Sequence, residues 1–550
     1  MNIVYYLLNK FYEEENQNIY LMVFTSFIIN IFQTNGISFI TATIIESLQK
    51  NDYSNTRLFF IYFIVISIFY LFLYNIYKYF QNKILTKLRQ WMRQQLISIL
   101  LIVNNDNFSE INFTQLNSPI NRVSSVSFMV FNDIITYILP NLTFLLIISL
   151  YFLYNNTLLG VIFIVGNLLI AAYLWFNWDN MLEHNEEYEK FVNANESYLL
   201  EILNNIDKII YRGQVDNEIA IFEDKTKQSI DIAYKFYQNT NYHGIIMNVL
   251  VFIILFILIG YLIYLKFSNK LSITIFITFF TILLLYRDKM ITIIQQVPDF
   301  IEFLGRSDSV LKHFNEMTQD FYAIIDRKYK ESDIPFEKIE FDAVSFKYKT
   351  SDKYLFENLT IKLNTKDKII GITGLSGNGK STFIKLMLKL YHCDSGKIRI
   401  DGEDIENLDA NFIRKHITYV NQSSKLFDRK VIENMLYACE HEEKCREHLQ
   451  EVLKYDKIKE LYRNIDIHNK RAGSLGENLS GGQRQIINII GGLINPSKIL
   501  ILDEPTNALD PELKKELLQL IRDFKRHKKS IIIITHDRDV YPLFDETINI

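Results

Sequence analysis

Hydrophobic positions divide the chain into two unlike halves. From about residue 20 to residue 300, long apolar runs carry few charges, whereas from about residue 336 onward shorter apolar runs alternate with polar segments. Leu58–Tyr77 has 20 residues, of which Asn75 is the one strongly polar member. As an α-helix rising about 1.5 Å per residue, it spans the roughly 30 Å hydrocarbon core of a bilayer. A buried core helix is the alternative for any single run, but several such runs predict a membrane domain followed by a soluble α/β domain.

Six membrane spans are predicted, at about residues 20–45, 58–83, 126–154, 157–178, 244–265 and 271–297. The first, third and fifth connections are short, whereas the second and fourth are long, polar and helical in pattern. Basic residues collect after the second span, and because Lys and Arg favour cytoplasmic loops, this side is placed in the cytoplasm. Within Asp179–Gln238 only Gly213 interrupts a polar periodic sequence, so helices two to five are expected to extend well past the bilayer.

The strongest chemical signal follows a short buried strand, predicted at Lys368–Thr373. Gly374–Ser381 reads GLSGNGKS, which fits the phosphate-loop pattern G-x-x-x-x-G-K-[ST], and a helical pattern comes next. Glycines let backbone amides curl around phosphate oxygens, and the helix N-terminus favours negative charge. Lys380 is expected to reach the β and γ phosphates, and the Ser381 hydroxyl to bind Mg²⁺. The residues of this stretch predicted to bind nucleotide are Gly374, Ser376, Gly377, Asn378, Gly379, Lys380, Ser381 and Thr382.

A second buried strand, predicted at Lys498–Leu502, ends in Asp503 and Glu504. One carboxylate at a strand end beside a phosphate loop suits a Mg²⁺ ligand, and the adjacent one suits a general base for the attacking water. We therefore predict that Asp503 binds the metal and that Glu504 is catalytic. A carboxylate pair on its own is also typical of a helix start, and the phosphate loop in the same chain favours the functional interpretation.

A further motif gives the chain a family resemblance. Leu479–Gln483 reads LSGGQ, the signature of ATP-binding cassette (ABC) ATPases, and it stands before the Asp503 strand as it does in that family. Other family motifs occur in the expected order, although each is weak alone. They are Tyr348 as the aromatic that stacks on adenine, Gln422 in YVNQ as the Q-loop, Asn507–Asp510 (NALD) as the D-loop and His536 in ITHD as the switch histidine. With its spans, the chain resembles an ABC half-transporter of the exporter type.

The resemblance implies roles for individual residues, with ATP and Mg²⁺ as the cofactors. The catalytic residues are expected to be Glu504, His536, Lys380 and Gln422, and the metal-binding residues Ser381, Gln422 and Asp503. The residues expected to bind ATP together with the phosphate loop are Tyr348, Ser480, Gly481, Gly482, Gln483 and Asp510.

The resemblance also implies a fold and a partner. An α-helical membrane domain at residues 1–330, with six spans, precedes an α/β P-loop cassette at residues 336–550. Short helices near Ser109–Ser118 and Tyr211–Glu218, at the tips of the long loops, are expected to contact the cassettes. In the family, nucleotide is sandwiched between the phosphate loop of one cassette and the signature of another, so two chains are needed. Because this chain carries all motifs of a competent site, a homodimer is expected, with a heterodimer as the alternative.

Composition narrows the classes of function. Lys and Arg number 59 and Asp and Glu 63, which gives a net charge of −4 and no basic excess that would indicate nucleic-acid binding. The three cysteines are too few for a disulfide scaffold and are expected to be reduced, buried or incidental. The spans exclude a soluble mechanical or translation-type cassette. An importer is disfavoured, because its membrane and ATPase parts usually occupy separate chains.

Together these features predict an ATP-driven exporter or flippase. It is expected to be a multi-pass protein of the bacterial inner or plasma membrane, in contact with lipid and with its cassette in the cytoplasm. A nucleotide-gated channel or a regulatory membrane protein is the alternative. The transported substrate is not identified by the sequence, which suits a lipid, a peptide or a hydrophobic small molecule.

Polar residues inside the spans are candidates for the transport path. At about 1.5 Å per residue, Asp133 and Arg287 both lie roughly 24 to 30 Å from the outer face. We hypothesise that they pair and line the inward cavity; the alternative is that each faces cytoplasmic water. Polar positions of the first span either face the cavity or form hydrogen bonds between helices, and they are Asn30, Gln33, Thr34 and Asn35.

Overall fold

A computed structural model describes residues 3–550 apart from residues 107, 109–116, 318–320, 322, 323, 325–328, 330–332, 349, 350, 376, 423, 424, 464 and 508. The chain forms two compact units. The first, the membrane unit, comprises Met1–Ile99 and Asn112–Gln319, and the second, the cassette unit, comprises Leu100–Ile111 and Asp320–Ile550.

Helices account for nearly all of the described residues as far as Met317. They are α1 (Ile3–Ile31), α2 (Ser38–Gln49), α3 (Tyr53–Asp106), α4 (Asn117–Asp133), α5 (Leu139–Asn155), α6 (Thr157–Asn204), α7 (Ile206–Tyr211), α8 (Val215–Phe267) and α9 (Ile273–Met317), with π-helical turns at Phe32–Ile37 and Ile134–Ile138. With 54 residues, α3 is about 81 Å long at about 1.5 Å per residue, far longer than a bilayer core. The predicted extension of the helices beyond the membrane is thus confirmed for α3, and α6 and α8 are of similar length.

Five stretches within the described residues are long and apolar enough to cross a membrane: Tyr6–Gln49, Tyr53–Asn105, Ser127–Asn155, Thr157–Asn204 and Val215–Phe267. They overlap the first five predicted spans, and the first and third connections are short, at residues 50–52 and 156, as the sequence predicted. The sixth predicted span lies in α9. There, three consecutive charged residues, Arg287, Asp288 and Lys289, interrupt the apolar sequence within 17 residues of the helix start. The count of six spans therefore stays a prediction.

Close contact between α6 and α8 builds the interior of the membrane unit. A Cβ atom on Gly166 of α6 would lie 2.7 Å from Cγ1 of Ile254, so only glycine allows this approach. The same interior contains fully buried aromatic side chains, among them Phe163 and Tyr286, whose ring centroids are 5.0 Å apart. The burial of such large apolar groups, rather than the helix propensity of the backbone, determines which of the long helices pack against each other.

The hypothesised pair of Asp133 with Arg287 is not formed. The Arg287 guanidinium binds the neighbouring Asp288 at 2.7 Å, and Asp133 Oδ1 accepts a hydrogen bond from the Asn132 amide at 3.3 Å. The π-helical turn that follows Asp133 contains an extra residue per turn, so a count in ordinary α-helical steps misjudges where this side chain lies. The charged group of α9 that lies near Asp133 is Asp299, a like charge that repels the carboxylate and does not pair with it.

Two polar residues of the first span, Asn30 and Thr34, form hydrogen bonds to neighbouring groups of the helices. The Asn30 amide donates to the Pro140 carbonyl at 2.8 Å and to the Thr143 hydroxyl, and the Thr34 hydroxyl donates to the Asn30 carbonyl at 2.7 Å. Both side chains are buried. The side chain of Asn35 lies outside the described residues. The structure thus favours helix–helix bonding over a cavity-facing position for Asn30, whereas the Thr34 hydroxyl bonds to the backbone four residues earlier.

Two sheets form the cassette unit. The antiparallel sheet has the order β2-β1-β4-β5, and the parallel sheet has the order β6-β7-β8-β3-β9. The strands are β1 (Lys338–Phe346), β2 (Phe356–Asn364), β3 (Lys368–Thr373), β4 (Ser395–Ile400), β5 (Glu403–Asp404), β6 (Ile417–Val420), β7 (Ile499–Asp503), β8 (Ser530–Ile534) and β9 (Glu546–Asn549). The helices are α10 (Lys380–Met387), α11 (Ala410–His416), α12 (Val431–Met435), α13 (Glu442–Val452), α14 (Asp456–Leu461), α15 (Gly481–Ile494) and α16 (Pro511–Phe524).

Parallel pairing gathers the functional segments at one edge of the sheet. All neighbours in the second sheet run parallel, so the carboxyl ends of β3, β6, β7 and β8 lie on the same side. The phosphate loop follows β3, Gln422 follows β6, Glu504 follows β7 and His536 follows β8. Ligands of open α/β sheets bind outside the carboxyl ends of the strands. The two strands predicted from buried runs, at Lys368–Thr373 and Lys498–Leu502, are both present, the second shifted by one residue.

The end of α3 belongs to the cassette unit. The Phe108 amide donates to the Leu390 carbonyl at 2.8 Å, and the Arg414 guanidinium donates to the Asn105 side chain at 2.8 Å. The short helix predicted next, near Ser109–Ser118, falls mostly outside the described residues. The other, predicted near Tyr211–Glu218, begins earlier: α7 ends at Tyr211, and α8 starts after a turn at Gly213, whose φ is +63°.

Two of the three cysteines differ from the expectation of reduced thiols. Cys439 and Cys445 are joined by a disulfide, and Cys393 is free. The turn between α12 and α13 brings the two Cα atoms within 6.6 Å, a separation that a disulfide accommodates. The sequence spacing alone does not reveal this turn.

Candidate nucleotide-binding site

The phosphate loop has a backbone that only glycine adopts easily. Gly374, Gly377 and Gly379 have φ values of +142°, +91° and +90°. A Cβ atom on Gly379 would also lie 2.7 Å from the Phe356 ring. The loop leads directly into the N-terminus of α10, where unpaired amides and the helix dipole favour phosphate. Ser376, predicted to bind nucleotide, lies outside the described residues.

The predicted catalytic lysine folds back over this loop. Lys380 Nζ donates to the Gly374 carbonyl at 3.1 Å and to the Leu375 carbonyl at 2.9 Å. Asn378 lies at the tip of the loop, where its amide donates to the Ile550 carbonyl at 3.3 Å. The ammonium group is therefore held at the concave backbone on which phosphate oxygens would lie.

Asp503 accepts two hydroxyl hydrogen bonds on one oxygen. Ser381 Oγ donates to Asp503 Oδ2 at 3.1 Å, and the Tyr419 phenol donates to the same atom at 2.8 Å. Burial raises the pKa of the Asp503 carboxyl, and these two hydrogen bonds act in the opposite direction. A carboxylate beside a hydroxyl is an oxygen-only donor set, which suits a hard cation such as Mg²⁺.

The aromatic residue expected to stack on adenine lies beside the start of α10. The hydroxyls of Tyr348 and Thr382 form a hydrogen bond of 2.5 Å. The Tyr348 ring meets Phe346 and Tyr391 edge-on, at centroid distances of 5.2 and 5.8 Å. The ring is thus supported from within the cassette, next to the phosphate loop.

Glu504 and His536 are in direct contact. His536 Nδ1 lies 2.7 Å from Glu504 Oε1, and the Thr535 hydroxyl donates to Glu504 Oε2 at 3.2 Å. The Glu504 side chain is 11% exposed and the His536 side chain 72% exposed. Glu504 also has a φ of +50°, a strained conformation for a non-glycine residue, of the kind that clusters at functional sites.

A buried glutamine of α15 supports this strained backbone. Gln485 Nε2 donates to the carbonyl oxygens of Glu504 and Pro505, both at 3.0 Å, and the Glu504 amide donates to the Ile534 carbonyl at 2.8 Å. The backbone at the predicted general base is therefore held from two sides.

The signature residues are bonded among themselves. The Gln483 amide donates to Ser480 Oγ at 3.3 Å, and the Ser480 amide donates to Gln483 Oε1 at 2.9 Å, a reciprocal cap at the start of α15. Ser480 and Gly481 are exposed, and Gly482 is partly exposed. Within the described residues, none of the hydrogen bonds of Ser480 or Gln483 reaches the phosphate loop of the same chain.

Two other predicted residues lie at the periphery of the site. Gln422 is exposed just beyond β6. Asp510 Oδ1 accepts a hydrogen bond from the Leu513 amide at 3.0 Å and so caps α16. The structure thus brings Lys380, Ser381, Asp503 and Glu504 together at the sheet edge and leaves the signature and Asp510 on other surfaces of the cassette.

Comparison with known families agrees with this architecture. Residues 17–290 match the family described as ABC transporter transmembrane region, and residues 356–507 match the family described as ABC transporter. The chain belongs to the ABC transporter family. It joins the membrane region and the ATP-binding cassette in one polypeptide, the arrangement of an exporter-type half-transporter, and it is a multi-pass integral membrane protein.

Curated relatives of this ABC transporter align mainly over part of their length. Over 200 residues the chain is 36% identical to a putative export ATP-binding/permease protein of Rickettsia bellii, a stretch covering 36% of this chain and 34% of that protein. Over 249 residues it is 33% identical to the ATP-dependent lipid A-core flippase of Aliivibrio fischeri, a stretch covering 41% of each. The chain therefore spans about a third to two fifths of the length of these relatives.

A solved structure resembles the ABC transporter over nearly its whole length. The structure of a bacterial Atm1-family ABC exporter with ATP bound matches with a TM-score of 0.75 over 98% of this chain and 93% of that chain. The two sequences are 18% identical, so the likeness concerns the fold alone.

Three residues that contact the predicted site were not identified from the sequence of this ABC transporter. Tyr419 binds Asp503, whereas Gln485 and Thr535 bind Glu504. Two simple signals were present: Gln485 lies two residues after the LSGGQ motif, and Thr535 directly precedes His536. Tyr419 gives no such signal, because its contact depends on the pairing of β6 with β7.

Proposed function

We propose that this ABC transporter is an ATP-driven exporter or flippase. It couples ATP binding and hydrolysis, at two composite sites of a dimer, to alternating access across the membrane. The observation that carries the proposal is the contact of 2.7 Å between His536 Nδ1 and Glu504 Oε1, at the sheet edge that also presents the phosphate loop. A general base held by a neighbouring histidine suits hydrolysis better than nucleotide binding alone.

Each residue of the edge has a role in this mechanism. The loop amides and Lys380 bind the phosphates, and Tyr348 stacks on adenine. Glu504 accepts the proton of the attacking water, while His536 and the Thr535 hydroxyl hold its two carboxylate oxygens. Because no part of these steps requires a covalent enzyme intermediate, positioning and electrostatics account for catalysis.

The donor set at Asp503 fits a magnesium ion. Ser381 and Asp503 would hold Mg²⁺, together with Gln422 from the end of β6. When bound, the ion neutralises charge on the β and γ phosphates. The 3.1 Å contact between the Ser381 hydroxyl and Asp503 supports this assignment, since it places both oxygen donors at the start of α10.

A second copy of the chain completes each site in this proposal. The exposed Ser480 and Gly481 lie at the N-terminus of α15, a position that favours phosphate. A homodimer would present two identical signatures to two phosphate loops. The transported substrate would be a lipid, a peptide or a hydrophobic small molecule, carried across a bacterial inner or plasma membrane.

ATP hydrolysis by the purified chain in lipid nanodiscs tests the proposal. Glu504→Gln should lower turnover by at least about 100-fold, the usual contribution of a general base, and should leave ATP binding intact. Glu512→Gln is the matched control, because Glu512 is an exposed residue of α16 paired with Lys457, and it should keep normal turnover. A stable, dimeric, ATP-binding wild type without turnover would contradict the proposal and favour a nucleotide-gated role.

A further inference from the structure

The carboxylate of Asp503 has a partner outside the nucleotide-binding motifs. The Tyr419 phenol donates to Asp503 Oδ2 at 2.8 Å, shorter than the 3.1 Å bond from Ser381 to the same atom. Tyr419 lies on β6, paired in parallel with Ile501 of β7, and the next pair is Val420 with Leu502. The sheet register therefore carries the phenol towards the carboxylate that follows Leu502.

We propose that Tyr419 is a positioning residue for the metal-binding carboxylate. The inference rests on the proposed function, in which Asp503 helps to hold Mg²⁺. The terminal torsion of an aspartate side chain is broad, so an unsupported carboxylate turns freely. Two hydroxyl donors on Oδ2 fix its rotation, and neither of them occupies Oδ1. Oδ1 would then be the oxygen available to hold the metal or a water bound to it.

The phenol is the donor in this contact, because a carboxylate oxygen can only accept. A hydrogen bond from a neutral hydroxyl to a carboxylate is among the stronger bonds in proteins, because one partner is charged. Tyr419, Asp503 and Ser381 thus form one hydrogen-bonded group, which contains two of the three predicted metal ligands.

Replacing Tyr419 by phenylalanine removes only the hydroxyl, so it distinguishes the positioning role of the phenol from the packing of the ring. The Tyr419 ring packs partly buried against the apolar core that includes Ile417 and Ile501, and phenylalanine preserves that packing. The chain offers a matched control in Tyr455, whose phenol donates to Asp523 Oδ2 at 2.5 Å. Tyr455 directly precedes α14 and Asp523 lies on α16, so this pair is of the same chemical type but belongs to no nucleotide motif.

Nucleotide binding at controlled metal concentrations tests the proposal. The experiment uses the full chain in nanodiscs with Glu504→Gln, so that ATP is not hydrolysed. The ATP affinity is measured in EDTA and at increasing Mg²⁺ concentrations. Binding of Mn²⁺ is followed separately by electron paramagnetic resonance. Tyr419→Phe should leave the ATP affinity in EDTA unchanged. It should raise the metal concentration that gives half of the increase in ATP affinity by about tenfold to a hundredfold, as expected for the loss of one hydrogen bond to a charged group. Tyr455→Phe should change neither.

Several results would overturn the proposal. An unchanged metal dependence in Tyr419→Phe would make the phenol a structural group only. Equal shifts in both variants would indicate general loosening of the cassette, and an equal loss of affinity in EDTA would point to the nucleotide rather than the metal. Because Glu504→Gln blocks hydrolysis, absence of turnover in the wild type would contradict the proposed function without affecting this titration. A chain that binds no ATP in either condition would overturn both.

Discussion

Buried polar groups behave differently at the cassette edge and inside the membrane unit. At the edge, Asp503, Glu504 and Gln485 each take part in two or more side-chain hydrogen bonds. In the membrane unit, five buried polar atoms have no hydrogen-bond partner within the described residues: Ser38 Oγ, Asp133 Oδ2, Asn185 Oδ1, Asn239 Oδ1 and Asn248 Oδ1. His448 Nδ1 is a comparable atom in the cassette, away from the edge.

The difference has a physical origin. A sheet edge brings side chains from distant parts of the sequence together, so that they can bond to one another and fix a geometry before the substrate arrives. In a membrane helix the backbone amides and carbonyls form hydrogen bonds with each other. Polar side chains can then bond to the backbone carbonyl four residues earlier, as the Thr278 hydroxyl does with Thr274 at 2.8 Å. Such bonds are local to one helix. Within the described residues, the sheet edge of the cassette therefore joins its buried polar groups more completely than the membrane unit does.

The largest expected effect comes from breaking the bonds of Gln485. Gln485→Leu leaves the carbonyls of Glu504 and Pro505 without their buried donor, which should cost on the order of 2 to 4 kcal/mol of cassette stability. The strained backbone at Glu504 should relax, and because small misplacements of a catalytic group are costly, turnover should fall by at least about tenfold. Thermal unfolding and ATP hydrolysis of the full chain measure both.

Gln519→Leu is the control for this change. Gln519 is exposed on α16 and bonds only to Asp523 of its own helix. It should keep wild-type turnover and an unfolding midpoint close to that of the wild type. If Gln485→Leu behaved like Gln519→Leu, the dense bonding at the sheet edge would not be what positions Glu504, and the contrast with the membrane unit would lose its functional meaning.

Lys528 extends the comparison of buried polar groups to a lysine of the cassette. Within the described residues its side chain has no acidic partner. It is 5% exposed, and its ammonium donates to the Asn495 carbonyl and, at 3.2 Å, to the Ser497 hydroxyl. Burial lowers the pKa of Lys528 to about 7, with a further contribution from Lys444. Between about pH 7 and its ordinary value of 10.5 the unfolded chain therefore binds a proton that the folded chain does not.

Stability should consequently rise with pH across this range. One such group adds up to about 1 kcal/mol to the unfolding free energy per pH unit above pH 7, and below pH 7 its contribution levels off. Lys528→Met should remove this slope, measured as the difference between unfolding midpoints at pH 7 and pH 9. Lys529→Met, which changes a neighbouring lysine bonded to the Pro335 carbonyl at 2.8 Å, should retain it. Identical slopes in all three proteins would show that Lys528 keeps its proton.

Motif spacing was sufficient to predict which residues meet at the sheet edge. The glycine-rich loop and the buried strand that leads to Asp503 and Glu504 follow from local sequence, because a short apolar run bounded by polar or turn residues predicts a buried strand. Tyr419 could not be predicted in the same way. Its contact with Asp503 depends on which strand lies beside β7 and in which register, and both are set by packing across the whole sheet.

The membrane unit was predicted in outline only. Long apolar runs identify helices, but they do not fix the rotation of each helix about its axis. The π-helical turn at Ile134–Ile138 changes that rotation directly after Asp133, and it has no reliable sequence signal. The hypothesis that joined Asp133 to Arg287 failed for this reason. The disulfide of Cys439 with Cys445 was missed because it depends on the path of a turn between two short helices.

The smallest expected effect concerns Asp133 itself. Asp133 is 7% exposed, its Oδ2 accepts no hydrogen bond from the described residues, and the like-charged Asp299 lies within electrostatic range. A buried carboxylate with an unbonded oxygen costs free energy, so Asp133→Asn should leave stability unchanged or raise it by about 1 kcal/mol. Asp288→Asn, which breaks the 2.7 Å pair with Arg287, controls for loss of charge alone. A marked drop in the unfolding midpoint of Asp133→Asn, absent from the control, would mean that Oδ2 has a partner after all, and that the membrane interior is bonded as fully as the sheet edge.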